Sequence, residues 1–482
     1  MSTANITSAL GYFELIDQDA SQKSSSPYDW EPEHWVQYPV PESYDILARP
    51  WIRPEQLPMS FVGVNIVDVE NSLILKSMTV KIKAGKIESI SKSLKEHMQE
   101  PGWESVNAEG LYLSPGLIDV HTHITITPGT PVRFVPALSK APLNDSTALA
   151  TQYVLKGMLW RGFTTVRDVG GANRHYKNAT EQWLIPGPRI FQGGPLMSQS
   201  GGHGDDGVDL DKPITGCCSG GVGGDGSSCI VDGVDECTRA ARKIMMNGAD
   251  HIKICSSGGV ASPTDKLDSE QFTVAEIKAI CDVVRMMVTA HCFTGPAARN
   301  AIEAGIGGIE HGHLLDDDTL KLMAKKGVHL TPTLIVQELL ARPPYQAMIP
   351  PQSREKLKLV IDGGYKVLKR AHELGVNIAY GTDCFGPMQP NQLAEFELRK
   401  KVLPSRDVIK HATVNAAKVL NMQGKIGIIR EGAFADLLLL SANPLEDVGI
   451  FNDPHKYVKG IVKDGRVVRS ELKGLRVEVS LM

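Results

Sequence analysis

Two hydrophobic patterns divide the chain. From Phe61, apolar and polar residues alternate in short runs, Phe61-Val-Gly-Val-Asn-Ile-Val-Asp-Val69 and Ser77-Met-Thr-Val-Lys-Ile-Lys-Ala-Gly-Lys-Ile-Glu-Ser-Ile90. A period of two marks half-exposed antiparallel strands. The same character returns at Ala435-Asp-Leu-Leu-Leu-Leu440 and across Val458–Val468. Two β-rich ends so far apart predict one small β-sandwich built from residues 51–113 and 425–482. Between them, over 114–424, short apolar runs fit for burial alternate with helical stretches. Strands are expected at 116–124, 164–170, 188–194, 251–257, 287–293, 307–313, 329–334 and 377–383. Helices lie between most of these, as at Thr273-Val-Ala-Glu-Ile-Lys-Ala-Ile280, where Thr273 and Glu276 have capping-box spacing. Eight such alternations predict an α/β chain with a (β/α)8 TIM barrel, a fold that keeps its chemistry at the C-terminal ends of its strands. Residues 1–50, rich in Pro, Ser, Tyr and Trp without periodicity, read as an irregular extension.

Composition narrows the class. With 482 residues, 42% of them hydrophobic, the chain can fill a barrel and an accessory unit. A net charge of −4 gives no electrostatic reason to expect nucleic acid or an anionic membrane as partner. The first residues, Met1-Ser-Thr-Ala-Asn-Ile-Thr-Ser-Ala-Leu10, lack the basic start and long apolar run of a secretory or spanning segment, so a cytoplasmic protein is expected. Of the eight cysteines, Cys255, Cys281, Cys292 and Cys384 lie in or beside apolar runs and read as packing. Cys217, Cys218, Cys229 and Cys237 surround a Gly/Ser-rich stretch without Cys-x2-Cys pairs, which fits a loop, with or without a labile disulfide, better than a zinc knuckle.

The chemistry is sought at the strand ends. Gly116-Leu-Ile-Asp-Val-His-Thr-His-Ile124 carries His121 and His123 two residues apart, on one face of a strand, where two imidazoles can hold one metal ion. Taken alone, such a pair fits buried core histidines equally well. Further ends add Lys253 in His251-Ile-Lys-Ile-Cys255, His291 in Val288-Thr-Ala-His291, His311 in Gly308-Ile-Glu-His311 and Asp383 in Ala379-Tyr-Gly-Thr-Asp383. Imidazole and carboxylate donors suit zinc first, with manganese, iron, cobalt or nickel behind it, and four histidines exceed the needs of one catalytic zinc. An ammonium among cations would be repelled, whereas Lys253 carbamylated by carbon dioxide becomes an anionic bridge between two metals. The competing reading is a lysine that binds a substrate phosphate or reaches solvent. His251, His329, His372 and His411 read as structural or surface residues.

This set resembles the amidohydrolase superfamily, in its binuclear form with a carboxylated lysine. The resemblance covers about residues 60–470 and includes His411-Ala-Thr-Val-Asn-Ala-Ala417 and Gly424-Lys-Ile-Gly-Ile-Ile-Arg-Glu-Gly-Ala-Phe-Ala-Asp436. Ser198-Gln-Ser-Gly-Gly-His-Gly-Asp205 and Asp250-His-Ile-Lys-Ile-Cys-Ser-Ser-Gly-Gly-Val-Ala-Ser262 are similar to the branch of Xaa-Pro and Xaa-Arg dipeptidases and the ochratoxin-hydrolysing amidase. The resemblance implies His121, His123 and Asp383 on one metal, His291 and His311 on the other, and N6-carboxylysine at Lys253 between them. Phe293 departs from it, standing where relatives with a His-x-His-Gly run place a second histidine. An apolar or aromatic substrate group is then favoured over a polar dipeptide. His313 either takes over part of that role or is a surface histidine.

The implied activity is hydrolysis of an amide, as in an N-acyl amino acid, a dipeptide or an ochratoxin-like amide. A metal-bridging hydroxide attacks, and Asp383 serves as general base and then general acid. The long Gly-rich loop 197–232 is expected to overhang the pocket, with His203 its candidate for substrate or oxyanion contact. Ser256-Ser-Gly-Gly259 either presents N–H groups of Ser257, Gly258 and Gly259 to a substrate carboxylate or is a mere tight turn. The competing activities are a non-hydrolytic decarboxylase, dehydratase or cyclase, and a mononuclear deaminase or cyclic amidohydrolase, against which Lys253 argues. A non-catalytic scaffold predicts missing ligands, and none is missing. The resemblance also implies self-association into a homo-oligomer with a small molecule as substrate.

Overall fold

A computed structural model describes residues 51, 53, 56–94, 98, 101–128, 145–205, 227–262, 265–479 and 481. The expected extension over 1–50 lies outside the described residues, as do Cys217 and Cys218.

The two chain ends meet in one sheet, as their shared alternation predicts. Strands β1 (Met59–Asp68), β2 (Leu73–Lys83), β3 (Lys86–Lys92), β4 (Glu104–Asn107) and β5 (Tyr112–Pro115) come from the N-terminal side. The joint is antiparallel, Leu437 opposite Pro115 and Leu440 opposite Tyr112. Phe61, Val64, Ile66, Val80, Ile82, Leu113 and Val462 fill the core of this sheet.

The middle of the chain supplies β6 (Leu117–Thr122), β7 (Phe163–Asp168), β8 (Arg189–Gln192), β9 (Leu196–Ser198), β10 (Ser228–Ile230), β11 (Ile252–Cys255), β12 (Val288–Thr294), β13 (Gly308–Leu314) and β14 (His329–Thr331). All pair in parallel, in a three-stranded sheet β6-β7-β8 and a six-stranded sheet β10-β9-β11-β12-β13-β14. Strands β6, β7 and β11 are buried at every position, which only cover on both faces allows. Cover comes from α1 (Asp145–Trp160), α2 (Arg174–Glu181), α3 (Gly233–Met246), α4 (Val274–Val284), α5 (Gly295–Ala304), α6 (Asp317–Lys326), α7 (Leu334–Leu340) and α8 (Ser353–Glu373). Thr273 and Glu276 form the predicted capping box of α4. Gly305 and Gly327 end α5 and α6 at φ +108° and +70°, where a side chain would be strained.

The remaining strands of the end sheet are β15 (Leu437–Leu440), β16 (Val458–Lys463) and β17 (Arg466–Ser470), giving the order β17-β16-β15-β5-β1-β2-β3 with β4 on β1. Leu437 and Leu439 of β15 face the end-sheet core, while Leu438 and Leu440 face the core under the parallel strands, so one strand of period two joins both.

Seven of the eight expected parallel strands are present. Segment 377–383 is not a strand but an extended stretch hydrogen-bonded on both sides. Ala379 N donates to Leu330 O (2.9 Å) in β14, and Val120 N of β6 donates to Tyr380 O (2.9 Å). The parallel strands therefore fall into two sheets rather than one continuous ladder. Loop 197–232 differs from expectation as well, since both its ends are held as β9 and β10. Among the described residues, no helix is long and apolar enough to cross a membrane.

Candidate metal centre

Strands β6, β11, β12 and β13, with segment 377–383, bring the six expected residues together, Lys253, His291 and His311 lying within their strands rather than at the ends. His121 ends in a ring 5.6 Å from His123 and 5.0 Å from His311, and His291 lies 4.5 Å from His311, centroid to centroid. Asp383 Oδ1 stands 3.5 Å from His121 Nε2 and 3.3 Å from His123 Nε2. Possible ligand atoms of His121, His123 and Asp383 lie within 4.8 Å of one another. Lys253 is buried in β11, one strand from His291, with Cys255 opposite His291 in register.

Each imidazole is held from behind. His121 Nδ1 lies 2.8 Å from Glu310 Oε2, His123 Nδ1 3.0 Å from Gly170 O and His311 Nδ1 2.7 Å from Thr333 Oγ1. The His291 ring bonds the backbone of Gly258, and its Nε2 is buried with no partner. Rings anchored through one nitrogen present the other as a ligand, the usual arrangement behind metal-binding histidines. The orphaned His291 Nε2 and the N/O donor set fit one or more divalent cations.

Electrostatics agree. Burial, helped by the charge of Lys253, takes His121 down to about 4 against the pull of Asp383 and Glu310. Burial likewise holds His291 and His311 well below the ordinary histidine range, so these rings are neutral, the form that binds metal. His123 is raised, because Asp383 and Asp168 overcome the burial that would lower it. Burial works to raise Asp383, but its contacts with His121 and His123, with the hydrogen bond from His123, and the nearby Lys253 outweigh it and hold the carboxyl below the usual range. Burial lowers Lys253. His311 and Asp383 both adopt left-handed backbone, φ +70° and +54°, strain of about 1–3 kcal/mol apiece of the kind that clusters at functional sites.

Four residues not singled out in the sequence hold this arrangement. Glu310 takes His121 on one oxygen and, on the other, Arg167 Nη2 (2.5 Å) and Thr289 Oγ1. Arg167 Nε also donates to Val120 O (2.6 Å) in β6. Asp119 accepts from His121 N, Thr382 N, Thr382 Oγ1 and Gln392 Nε2. Asp168 accepts from Ile124 N, Gly170 N and Ala172 N. The signal for them was present as charges inside short runs that read as buried strands, where a charge is tolerated only when paired.

Around the centre, Phe293 is 1% exposed and stacks on His311 (5.1 Å, 7°), with His291 edge-on at 5.2 Å. His203 stacks face to face on His291 (4.1 Å, 14°). His313 is not a surface residue. It is fully buried beneath α8 beside the backbone of Val360, 5.6 Å from Phe293. It does not share a simple face with His311 either. The register slips at the end of β13, and left-handed His311 and Gly312 (φ +68°) break the alternation, so the two rings stand perpendicular. The backbone nest at 256–259 is also corrected. Ser256 N and Ser257 N donate to His291 O, Gly258 N to Ser269 O and Gly259 N to Asp265 Oδ2, leaving none of these N–H groups for a substrate carboxylate. Of the histidines set aside, His329 contacts Asn377 and His411 contacts Arg399, while His251 is buried without partners.

Residues 112–468 match the amidohydrolase family. The chain is 31% identical over 377 residues to an ochratoxinase of Aspergillus niger, covering 74% of this chain and 75% of that one. A crystal structure of a prolidase complexed with N-methylphosphonate-L-proline superposes with a TM-score of 0.80 at 34% identity, over 86% of this chain and 100% of that chain. A Xaa-Pro dipeptidase with bound methionine in its active site reaches 0.75 at 26% identity, again over 86% and 100%.

Proposed function

The chain belongs to the amidohydrolase family, and from that premise we propose that it hydrolyses an amide joining an acyl group to an amino acid with a free carboxylate. N-acyl amino acids, dipeptides and ochratoxin-like amides fall in this class. The observation that carries the reading is the convergence of back-anchored imidazoles on an ionised Asp383, with His291 Nε2 buried and unpartnered. Kinship to an ochratoxinase and to prolidase structures supports the substrate class.

In this reading His121, His123 and Asp383 hold one divalent ion and His291 and His311 a second, zinc foremost, with Lys253 carboxylated between them. For that, the Lys253 amine adds to carbon dioxide and loses a proton. Bound there, the ions supply Lewis-acid polarisation of the scissile carbonyl and a water acidified toward neutrality. Asp383 accepts a proton from the attacking water and returns it to the leaving nitrogen as the C–O bond forms and the C–N bond breaks. Phe293 lies on the side that takes an apolar or aromatic group, with the buried His313 packed behind it. Ser257, Gly258 and Gly259 act by carriage: Ser257 Oγ accepts from Phe293 N (2.9 Å), and Gly259 lies under His203. The two parallel sheets, with 377–383 between them, are read as sectors of one (β/α)8 barrel over 114–424, and the end sheet as a sandwich from 51–113 and 425–482.

One observation favours a second reading. His121, His123 and Asp383 alone form a compact trio among the described residues, which suits a mononuclear deaminase or cyclic amidohydrolase. Metal analysis on protein purified without chelators, beside a panel of N-acyl amino acids, dipeptides and ochratoxin-like amides scored for amine release, separates the two. About two metals per chain with amine release is expected. One metal with release of ammonia instead overturns the amide reading, and silence on every amide promotes a non-hydrolytic reaction.

A further inference from the structure

The loop that leaves β11 just after Lys253 is shaped by a side chain from elsewhere. Lys356, in the first turn of α8, donates to Gly259 O (3.0 Å), Ser262 O (3.0 Å) and Asp265 O. An ammonium has three N–H donors, so all are spent on the carbonyls of one loop. Its Nζ also lies 3.7 Å from Asp265 Oδ1, too far for a hydrogen bond.

Asp265 is the hub. Its Oδ2 accepts from Gly259 N (2.9 Å) and Gln271 Nε2 (3.2 Å) and faces His203 Nδ1 at 3.4 Å. Gln271 Oε1 in turn accepts from His203 N (2.9 Å). Gly259 lies so close under the imidazole that a Cβ there would stand 2.1 Å from His203 Cε1. Burial would raise the Asp265 carboxyl, but the contact with His203, the bond from Ser262 and the charge of Lys356 hold it below the usual range. Thus Gly259, Asp265 and Gln271, all from the loop that Lys356 gathers, surround one residue, whose ring lies flat against His291. Nδ1 is the buried nitrogen of that ring and makes no hydrogen bond among the described residues, so Asp265 Oδ2, facing it at 3.4 Å, is the one carboxylate among them placed to hold it, while the side chain keeps 17% of its surface open.

We propose that Lys356 and Asp265 are positioning residues which lock His203 through Nδ1, so that its Nε2 meets the carboxylate end of the substrate beside His291. The proposal rests on the amide reading above, and it replaces the backbone nest that the loop's own hydrogen bonds close off. A histidine with one nitrogen turned to a buried carboxylate and its ring stacked on a neighbour is held in one orientation, with the other nitrogen left to meet a small anion.

The test compares wild type with Lys356→Met, Lys356→Arg, Asp265→Asn and His203→Gln. Carbethoxylation of His203 by diethylpyrocarbonate, read by mass spectrometry, reports the ring without any substrate. Lys356→Met and Asp265→Asn are expected to raise its rate severalfold, and Lys356→Arg, which keeps the charge and donors, to restore it. In the hydrolysis of N-acetyl-L-phenylalanine, KM is expected to rise roughly tenfold or more in all but the arginine variant, the scale of one charge-assisted hydrogen bond, with kcat and metal content near wild type. Unchanged labelling overturns the positioning whatever the substrate. Altered labelling with unchanged KM overturns the assigned carboxylate contact. Altered labelling in an enzyme silent on every amide overturns the amide reading and leaves the positioning supported.

Discussion

Glu310→Gln separates what the centre owes to charge from what it owes to shape. Glu310 and Arg167 are each 1% exposed, and the carboxylate is shared among Arg167 Nη2 at 2.5 Å, Thr289 Oγ1 and His121 Nδ1 at 2.8 Å. Glutamine keeps the volume and one carbonyl acceptor but leaves the guanidinium buried without its counter-charge. Removing one member of a buried pair costs about 3–5 kcal/mol. Independently, an anionic acceptor behind an imidazole strengthens it as a ligand, and losing such a partner typically lowers metal affinity about 10–100-fold, roughly 1.4–2.7 kcal/mol.

Two assays keep these effects apart: thermal unfolding of metal-stripped protein, and metal affinity by chelator competition. Glu310→Gln is expected to lower both. In the double variant Arg167→Met/Glu310→Gln the orphan charge is gone, so stability recovers in large part, while metal affinity stays low because His121 still lacks its anion. Wild-type metal affinity in Glu310→Gln, or a double variant no more stable than the single one, would refute this account of the network.

Three other outcomes follow from the same geometry. Lys253→Ala removes the expected bridge and should lower both bound metal and turnover, by inductively coupled plasma measurement and amide assay; retention of both refutes the bridge. Phe293→His puts a polar ring where the aromatic wall touches His311 and His291 and should shift kcat/KM toward polar dipeptides over aromatic N-acyl substrates by about tenfold or more, the scale of one hydrogen bond to a charged group. The metal-stripped protein should lose stability on acidification. His121 falls from 6.5 to about 4 on folding, so the unfolded chain binds its proton first, and roughly 3 kcal/mol present above pH 6.5 is lost as pH drops toward 4; melting temperatures from pH 7.5 to 4.5 should drop less steeply in His121→Asn.

How much of this was legible in the sequence depended on whether a signal was local. The β-rich ends, seven parallel strands and the capping box of α4 each declare themselves within a few residues, and so does the His-x-His pair. Segment 377–383 looked like a strand because it is apolar and buried, yet it bonds to β14 and β6 at scattered points and then turns left-handed at Asp383. The slip at His311 and Gly312 is invisible to any argument that assumes strict alternation, and it moved His313 from an expected neighbour of His311 to a buried place under α8. Glu310 and Arg167 each read as an interruption of an apolar strand until the partner strand is beside it. Lys356 carries no signal at all, since a lysine in the first turn of a helix is ordinary and the carbonyls it gathers begin 97 residues away at Gly259. A ligand can thus be recognised from its own strand, whereas the groups that aim it belong to other strands and other loops. On the proposed function, variation in what the site cuts should accordingly follow Phe293, His203, Asp265 and Lys356, while His121, His123, Lys253, His291, His311 and Asp383 would supply the hydrolysis itself.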